Sequence, residues 1–177
     1  MQRCVALMLA IVRCPKPVIA RVHGIATAAG CQLVATCDLA IAADEARFAT
    51  PGVNIGLFCS TPMVALSRNV PRKAAFEMLT TGEFIDAARA RELGLVNRVV
   101  PAAELFGATL ALAQVVAGKL TTAVKIGKRA FYEQASMSLA DAYAYTARVM
   151  AENMMLADTA EGIQAFIDKR HPEWREQ

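Results

Sequence analysis

Aromatic residues make up only 6% of this sequence, and it holds two histidines and one tryptophan. With few rings to stack bases on and a net charge of only +3, it lacks a nucleic-acid footprint. The five cysteines (Cys4, Cys14, Cys31, Cys37 and Cys59) are odd in number and form no C-x-x-C pair. Neither a disulfide framework nor a zinc site is indicated, and a reducing compartment is the default. His23 and His171 stand in no ligand-like pattern, so no metal is expected. Hydrophobic residues reach 55%, much of it alanine, yet no apolar run approaches the roughly 18 residues of a membrane span.

What is present reads as alternating short strands and helices. Cys4 to Val12 follows Arg3 and has the look of a signal-peptide core, but no small-x-small cleavage site follows, and Arg13 and Lys16 come directly after. Val5, Met8, Leu9 and Val12 fall at helical spacing, so residues 1–13 are expected to form a helix. It begins without an N-cap, as if cut from a longer protein. Strands are expected at Val18–His23, Asp38–Ala43, Arg47–Ala49 and Val96–Val100, and a short helix at Ala29–Thr36. Thr50-Pro51-Gly52 is turn chemistry. Thr61 is expected to cap a helix with Pro62 at its first position, and Asp86 to cap another that ends before Gly94. From 102 onward the pattern is all helical, over about 102–118, 121–134, 138–156 and 159–168. The class is α/β, organised as residues 1–101 followed by a helical region, 102–177, whose apolar faces are expected to pack on a partner subunit.

The segment Gly24-Ile25-Ala26-Thr27-Ala28-Ala29-Gly30-Cys31-Gln32-Leu33 carries the chemistry. A β-branched strand feeds a small-residue turn and then a helix, which aims backbone N–H groups at an anion. Gln32 lies one turn into that helix, over the same spot. An amide moves no proton near neutral pH, so the stretch reads as charge stabilisation without an acid or base.

Several runs together resemble the enoyl-CoA hydratase/isomerase (crotonase) superfamily. They are Lys16-Pro17-Val18-Ile19-Ala20-Arg21-Val22-His23-Gly24, Ala28 to Leu33, Cys37-Asp38-Leu39-Ala40-Ile41-Ala42-Ala43, Phe48-Ala49-Thr50-Pro51, Leu79-Thr80-Thr81-Gly82 and Asn97 to Pro101. The resemblance is strong over 16–101 and looser to about 170. It implies a crotonase-like (ClpP/crotonase) spiral of β-β-α units, truncated at its N-terminus, with a helical trimerisation region. It also implies a homo-trimer or dimer of trimers. The substrate would be an acyl thioester of coenzyme A, with no other cofactor, in the bacterial cytoplasm or the mitochondrial matrix.

By the same resemblance, the N–H of Ala29 is one of two donors polarising the thioester carbonyl, the other lying upstream of Met1. The two glutamates of the family's hydratases match Gln32 and Gly52, neither of which titrates, and acid–base groups of that kind are each worth roughly 10²–10⁴-fold. Efficient hydration is therefore not expected, and hydration of crotonyl-CoA by a full-length Gln32→Glu, Gly52→Glu variant but not by its parent would mean that the scaffold binds substrate and lacks the acid–base pair. Ala26, Gly30 and Asn54 are expected beside the substrate, and Phe166 and Lys169 toward the coenzyme A of a neighbouring subunit. Cys59, with no histidine placed to activate it, reads as loop and cap, and Asp38 as a local cap or pair. The alternative is a non-catalytic acyl-CoA-binding or assembly subunit.

Overall fold

The computed structural model describes residues 2–175. Its chain forms two compact units, Met1–Ala113 and Gln114–Gln177. In the first unit, helix α1 (Gln2–Arg13) leads into strands β1 (Ile19–Val22) and β2 (Ile25–Thr27) and helix α2 (Ala29–Thr36). Strands β3 (Leu39–Ala43) and β4 (Arg47–Ala49), a 3₁₀ turn (Pro51–Ile55) and helices α3 (Ser60–Asn69) and α4 (Arg72–Thr81) follow. The short β5 (Ile85–Asp86), α5 (Ala87–Glu92), β6 (Arg98–Val100), a 3₁₀ turn (Ala102–Glu104) and α6 (Leu105–Ala117) complete this order.

The first four strands alternate between two sheets. β1, β3 and β6 form one, all parallel, in the order β1-β3-β6. β2 and β4 pair in parallel in the other, and β5 adds to β4 antiparallel. The first two turns of chain, β1-β2-α2 and β3-β4-α3, each lay one strand in each sheet and then a helix, which is the β-β-α spiral. A spiral layered this closely needs small side chains inside. Ala26, Ala35, Ala40, Ala42, Ala46, Ala75, Ala87 and Ala90 are all buried in the main core, around the larger Phe48, Leu66 and Leu79. Ile41 and Ala43, on the opposite face of β3, pack under Leu105 of α6.

Side chains fix the layers at the points where strands and helices end. Asp38 Oδ2 accepts from Val18 N at 2.6 Å and so pins the start of β3 beside β1. Asn97 donates its backbone N–H to Ala40 O at 2.8 Å and accepts Ala40 N through Oδ1 at 2.7 Å. Asn69 Nδ2 reaches Ala35 O at 2.8 Å, tying α3 to α2. Thr50, fully buried, donates to Met78 O at 2.9 Å.

The differences from expectation are local. Met1 of the expected helix 1–13 lies outside the described residues. The buried face of α1 is Met8 and Ile11, while Val5 and Leu9 are 41% and 42% exposed. Gly24 to Thr27, read as part of a turn, contains β2, because Ile25–Thr27 finds a partner strand in Arg47–Ala49. The turn at Thr50–Gly52 continues as a 3₁₀ helix to Ile55. Helix α3 starts one residue before Thr61, with Cys59 at the N-cap and no side-chain cap bond. Pro62 is accommodated because first-turn N–H groups have no intrahelical partner to lose. Asp86 does cap α5, accepting from Arg89 N at 2.7 Å.

The second unit contains α7 (Thr121–Gln134), α8 (Leu139–Met154) and α9 (Ala157–Ile167). Ser138 caps α8, and Tyr145 of α8 donates to Glu133 of α7. Past α9 the tail folds back onto the helix. Arg170 holds both carboxylate oxygens of Glu161 at 2.6 and 2.9 Å, and Asp158 accepts Arg175 N at 2.8 Å. Trp174 closes over Gly162. Among the described residues no single helix is long and apolar enough to cross a membrane.

Candidate active site

The site is built where β2 hands over to α2. Ala28, between them, has φ 47° and ψ −112°, a region that L side chains rarely adopt. Two hydrogen bonds hold it there. Ala28 N donates to Ala49 O at 3.0 Å, and Ala28 O accepts from Gln32 N at 2.9 Å. The first bond continues the β2–β4 ladder and the second starts the helix. Between these two obligations the peptide must turn sharply, and the strain of such a residue is of order 1–3 kcal/mol. The turn leaves Ala29 at the exposed start of α2 with Gly30 beside it. First-turn N–H groups have no intrahelical acceptor and sit at the positive end of the helix.

Gln32 follows three residues after Ala29, on the same face of the helix. Helical side chains lean toward the N-terminus of their helix. It is only 5% exposed. Its carbonyl Oε1 accepts from the Cys4 thiol of α1, Sγ to Oε1 3.6 Å. Among the described residues its NH₂ group has no acceptor. Thr36 Oγ1 donates to the Gln32 main-chain carbonyl at 2.7 Å and secures the last turn.

Gly52 lies three residues beyond Ala49, the residue that accepts from Ala28. It is buried and has no room for a side chain. A Cβ there would meet the Leu57 carbonyl oxygen and would stand 2.8 Å from Cys59 Sγ. Leu57 N donates to Gly52 O at 2.9 Å, which closes the loop on the glycine. Any side chain at position 52 would require the Leu57–Cys59 segment to shift. A glutamate side chain at position 52 would therefore meet main chain at its first carbon.

Cys31 is fully buried and its thiol is pushed up to about 12, by burial first and then by nearby Cys59. Cys59 is also buried, which fits the loop-and-cap reading. The carboxylates of this unit are engaged elsewhere or exposed. Asp38 bonds Val18 N, Asp44 and Glu45 are exposed, Asp86 caps α5, and Glu92 pairs with Arg89 at 2.9 Å. His23, expected to be a satisfied structural histidine, is exposed.

Of the remaining sequence candidates, Ala26 is buried in the core with Phe48 as its strand partner. Asn54 is exposed, and its side chain rests against Gly82 at the end of α4. Phe166 is 84% exposed on α9, and Lys169, with φ 54°, is exposed just past that helix. A groove of about 900 Å³ between α3 and α4, with Met63, Val64, Phe76 and Leu79 in its wall, includes none of Ala29, Gln32 or Gly52. Among the described residues no three His, Cys, Asp or Glu side chains are grouped to hold a metal ion.

The sequence matches the family described as enoyl-CoA hydratase/isomerase over residues 2–177. It is 54% identical over 171 residues to mitochondrial enoyl-CoA hydratase domain-containing protein 3 of Xenopus laevis, covering 97% of this chain and 58% of that protein. To the Homo sapiens protein of the same name it is 53% identical over 173 residues, covering 98% and 57%. The chain thus spans somewhat more than half the length of these curated relatives. The fold superimposes on a crystal structure of an enoyl-CoA hydratase from Mycobacterium smegmatis with TM-score 0.96 at 58% identity, over 98% of this chain and 67% of that one. On the crystal structure of the human domain-containing protein 3 the TM-score is 0.95 at 53% identity, over 98% and 68%.

Proposed function

Because the chain belongs to the enoyl-CoA hydratase/isomerase family, we propose that it binds acyl thioesters of coenzyme A at the start of α2 and stabilises their enolates. The observation that carries this reading is the strained Ala28 turn, which presents the Ala29 N–H at an exposed helix start. The thioester oxygen would sit on that N–H, with Ala26, Gly30 and Asn54 beside the substrate, and Phe166 and Lys169 would reach the coenzyme A of a neighbouring subunit. One well-placed oxyanion donor is worth about 2.7–4 kcal/mol of transition-state stabilisation.

With Gln32 and Gly52 in place of titrating groups, the fitting chemistry needs only enolate stabilisation. Decarboxylation of a malonyl-type thioester is such a step. The C2–C3 bond breaks, its electron pair passes into the thioester enolate, carbon dioxide leaves, and the enolate takes a proton from water. In this reading the protein works in acyl-CoA metabolism as a homo-trimer or dimer of trimers. Relatives named mitochondrial favour the matrix, and the Mycobacterium smegmatis structure keeps the bacterial cytoplasm open.

A second reading has a specific observation behind it. The loop packed onto Gly52 leaves no space for a catalytic side chain, which suits a non-catalytic acyl-CoA-binding or assembly subunit. Titration with acetoacetyl-CoA, following its enolate absorbance, tests the first reading. It is run on the 177-residue chain and on a chain extended to the length of the relatives. Growth of the band with either chain supports an oxyanion site. With no band from either, the assembly reading takes over, to be tested by sizing.

A further inference from the structure

Helices α3 and α4 follow one another with only Val70 and Pro71 between them, and the groove they share carries its positive charge at one end. Its volume of about 900 Å³ falls in the range of small-molecule sites, about 300–1,000 Å³. Ala75 and Leu79, both buried, form its floor. Met63, Val64 and Phe76 stand along it and are 38%, 50% and 63% exposed. An apolar surface of this kind, rimmed by polar groups, marks a place where something binds. The cations are Arg68, in the last turn of α3, and Arg72 and Lys73, which begin α4. All three therefore line the end where the two helices meet. Arg68 Nη1 donates to Val64 O at 2.8 Å. Arg72 and Lys73 are exposed and have no carboxylate partner among the described residues. Glu77, one turn beyond Lys73, is the carboxylate of the lining.

We propose that this groove is a binding site for a single-chain fatty carboxylate. The carboxylate lies between Arg72 and Lys73, and the hydrocarbon tail lies along Met63, Val64 and Phe76. The distribution of charge selects this class of ligand. An acidic partner helix would need cations along the whole groove, and here they stand at one end. A bilayer presents a plane of headgroups, whereas these cations head a concave apolar slot. From Arg72 to Thr80 the axis of α4 rises about 12 Å, at roughly 1.5 Å per residue, which suits a medium-length chain rather than a short acid. The groove lies within the first unit and includes none of Ala29, Gln32 or Gly52, so the inference stands apart from the thioester reading.

The test is calorimetry with decanoate and butanoate on the 177-residue chain, at low ionic strength and below the concentration at which decanoate aggregates. Decanoate should bind at one site per chain, and butanoate about tenfold more weakly or less, because its tail covers little of the apolar wall. Arg72→Gln combined with Lys73→Gln should weaken decanoate binding by about threefold to tenfold, and added salt should bring the wild type toward that variant. Phe76→Ser should weaken it by about fivefold or more. The three residues are exposed, so these variants keep the fold, which circular dichroism checks. Saturating acetoacetyl-CoA should leave decanoate binding unchanged. If acetoacetyl-CoA fails to bind while decanoate behaves as described, the thioester reading fails and this inference stands. Decanoate affinity unaltered in both variants overturns it, as does displacement of decanoate by acetoacetyl-CoA. Binding to anionic phospholipid vesicles that is lost in the Arg72, Lys73 double variant, with no binding of free decanoate, assigns the patch to a membrane surface and overturns it. An oligomer that takes up no decanoate and dissociates in Phe76→Ser assigns the groove to a second copy of the chain and overturns it too.

Discussion

The carbonyl oxygen of Leu57 occupies the space that a side chain on Gly52 would need, and Cys59 Sγ lies 2.8 Å from the same point. The loop from Pro51 to Cys59 is thus folded around a missing Cβ. Gly52→Ala should destabilise the chain by about 1–3 kcal/mol, the usual cost of overpacking, because one of the opposing atoms is main chain and cannot rotate away. Gly52→Glu should cost more or expel the loop. Gly24→Ala is the control, since nothing stands within 4 Å of its Cβ position. Urea denaturation followed by circular dichroism measures all three. Gly52→Ala within about 0.5 kcal/mol of the parent, the range of an ordinary surface change, would show that the loop yields.

Ala28 offers the opposite experiment. Its φ of 47° suits glycine, and the two hydrogen bonds through Ala49 and Gln32 hold the backbone there whatever the residue. Ala28→Gly relieves strain of roughly 1–3 kcal/mol but loosens the unfolded chain by about 0.5–1 kcal/mol. The net expectation is a gain of about 1 kcal/mol, read as a shifted urea midpoint at constant slope. A loss of stability would mean that the turn carries no strain.

These two positions also mark where the sequence stopped being legible. Helix α2 was readable to the residue, Ala29–Thr36, because small and apolar residues run unbroken between a β-branched strand and Cys37-Asp38. The β1 and β3 strands were readable from their apolar runs. The strand Ile25–Thr27 was not, since three residues next to a glycine become a strand only through a partner 22 positions along, Arg47–Ala49. In the same way, Gly52 reads in the sequence only as a turn glycine after Thr50-Pro51. Only the fold shows Leu57 and Cys59 against it, because that contact depends on how the loop closes. The hydrogen bond from the Cys4 thiol to Gln32 Oε1 likewise joins residues 28 positions apart.

Cys31 should be chemically silent in the native state. It is fully buried in the core, and its thiol is pushed up to about 12, so almost no thiolate exists at pH 8. Cys4, Cys14 and Cys37 are only partly buried. Iodoacetamide at pH 8 followed by peptide mass spectrometry should label these three before Cys31, and Cys31 only on addition of urea. Early labelling of Cys31 would show that α2 opens away from the Cys59 loop.

The tail clasp of the second unit gives a pH transition whose sign is fixed. Glu161 is drawn down to about 2, first by the Arg170 guanidinium that holds both its oxygens and then by the Glu173 N–H. A carboxylate depressed in the folded state contributes its full stabilisation above the ordinary carboxylate value, about 4.3 for glutamate. That contribution is lost as the pH falls from there through about 2. The reporter is built in, because the only tryptophan, Trp174, lies over Gly162 of α9. Its fluorescence should stay native-like at pH 5 and change between about pH 4 and 2, with helical circular dichroism recorded alongside to separate tail release from global unfolding. In Glu161→Gln, which removes the titrating group, this step should vanish, and the tail should be looser already at pH 7. A step centred near pH 4.3, or one that persists in Glu161→Gln, would assign the transition to other carboxylates.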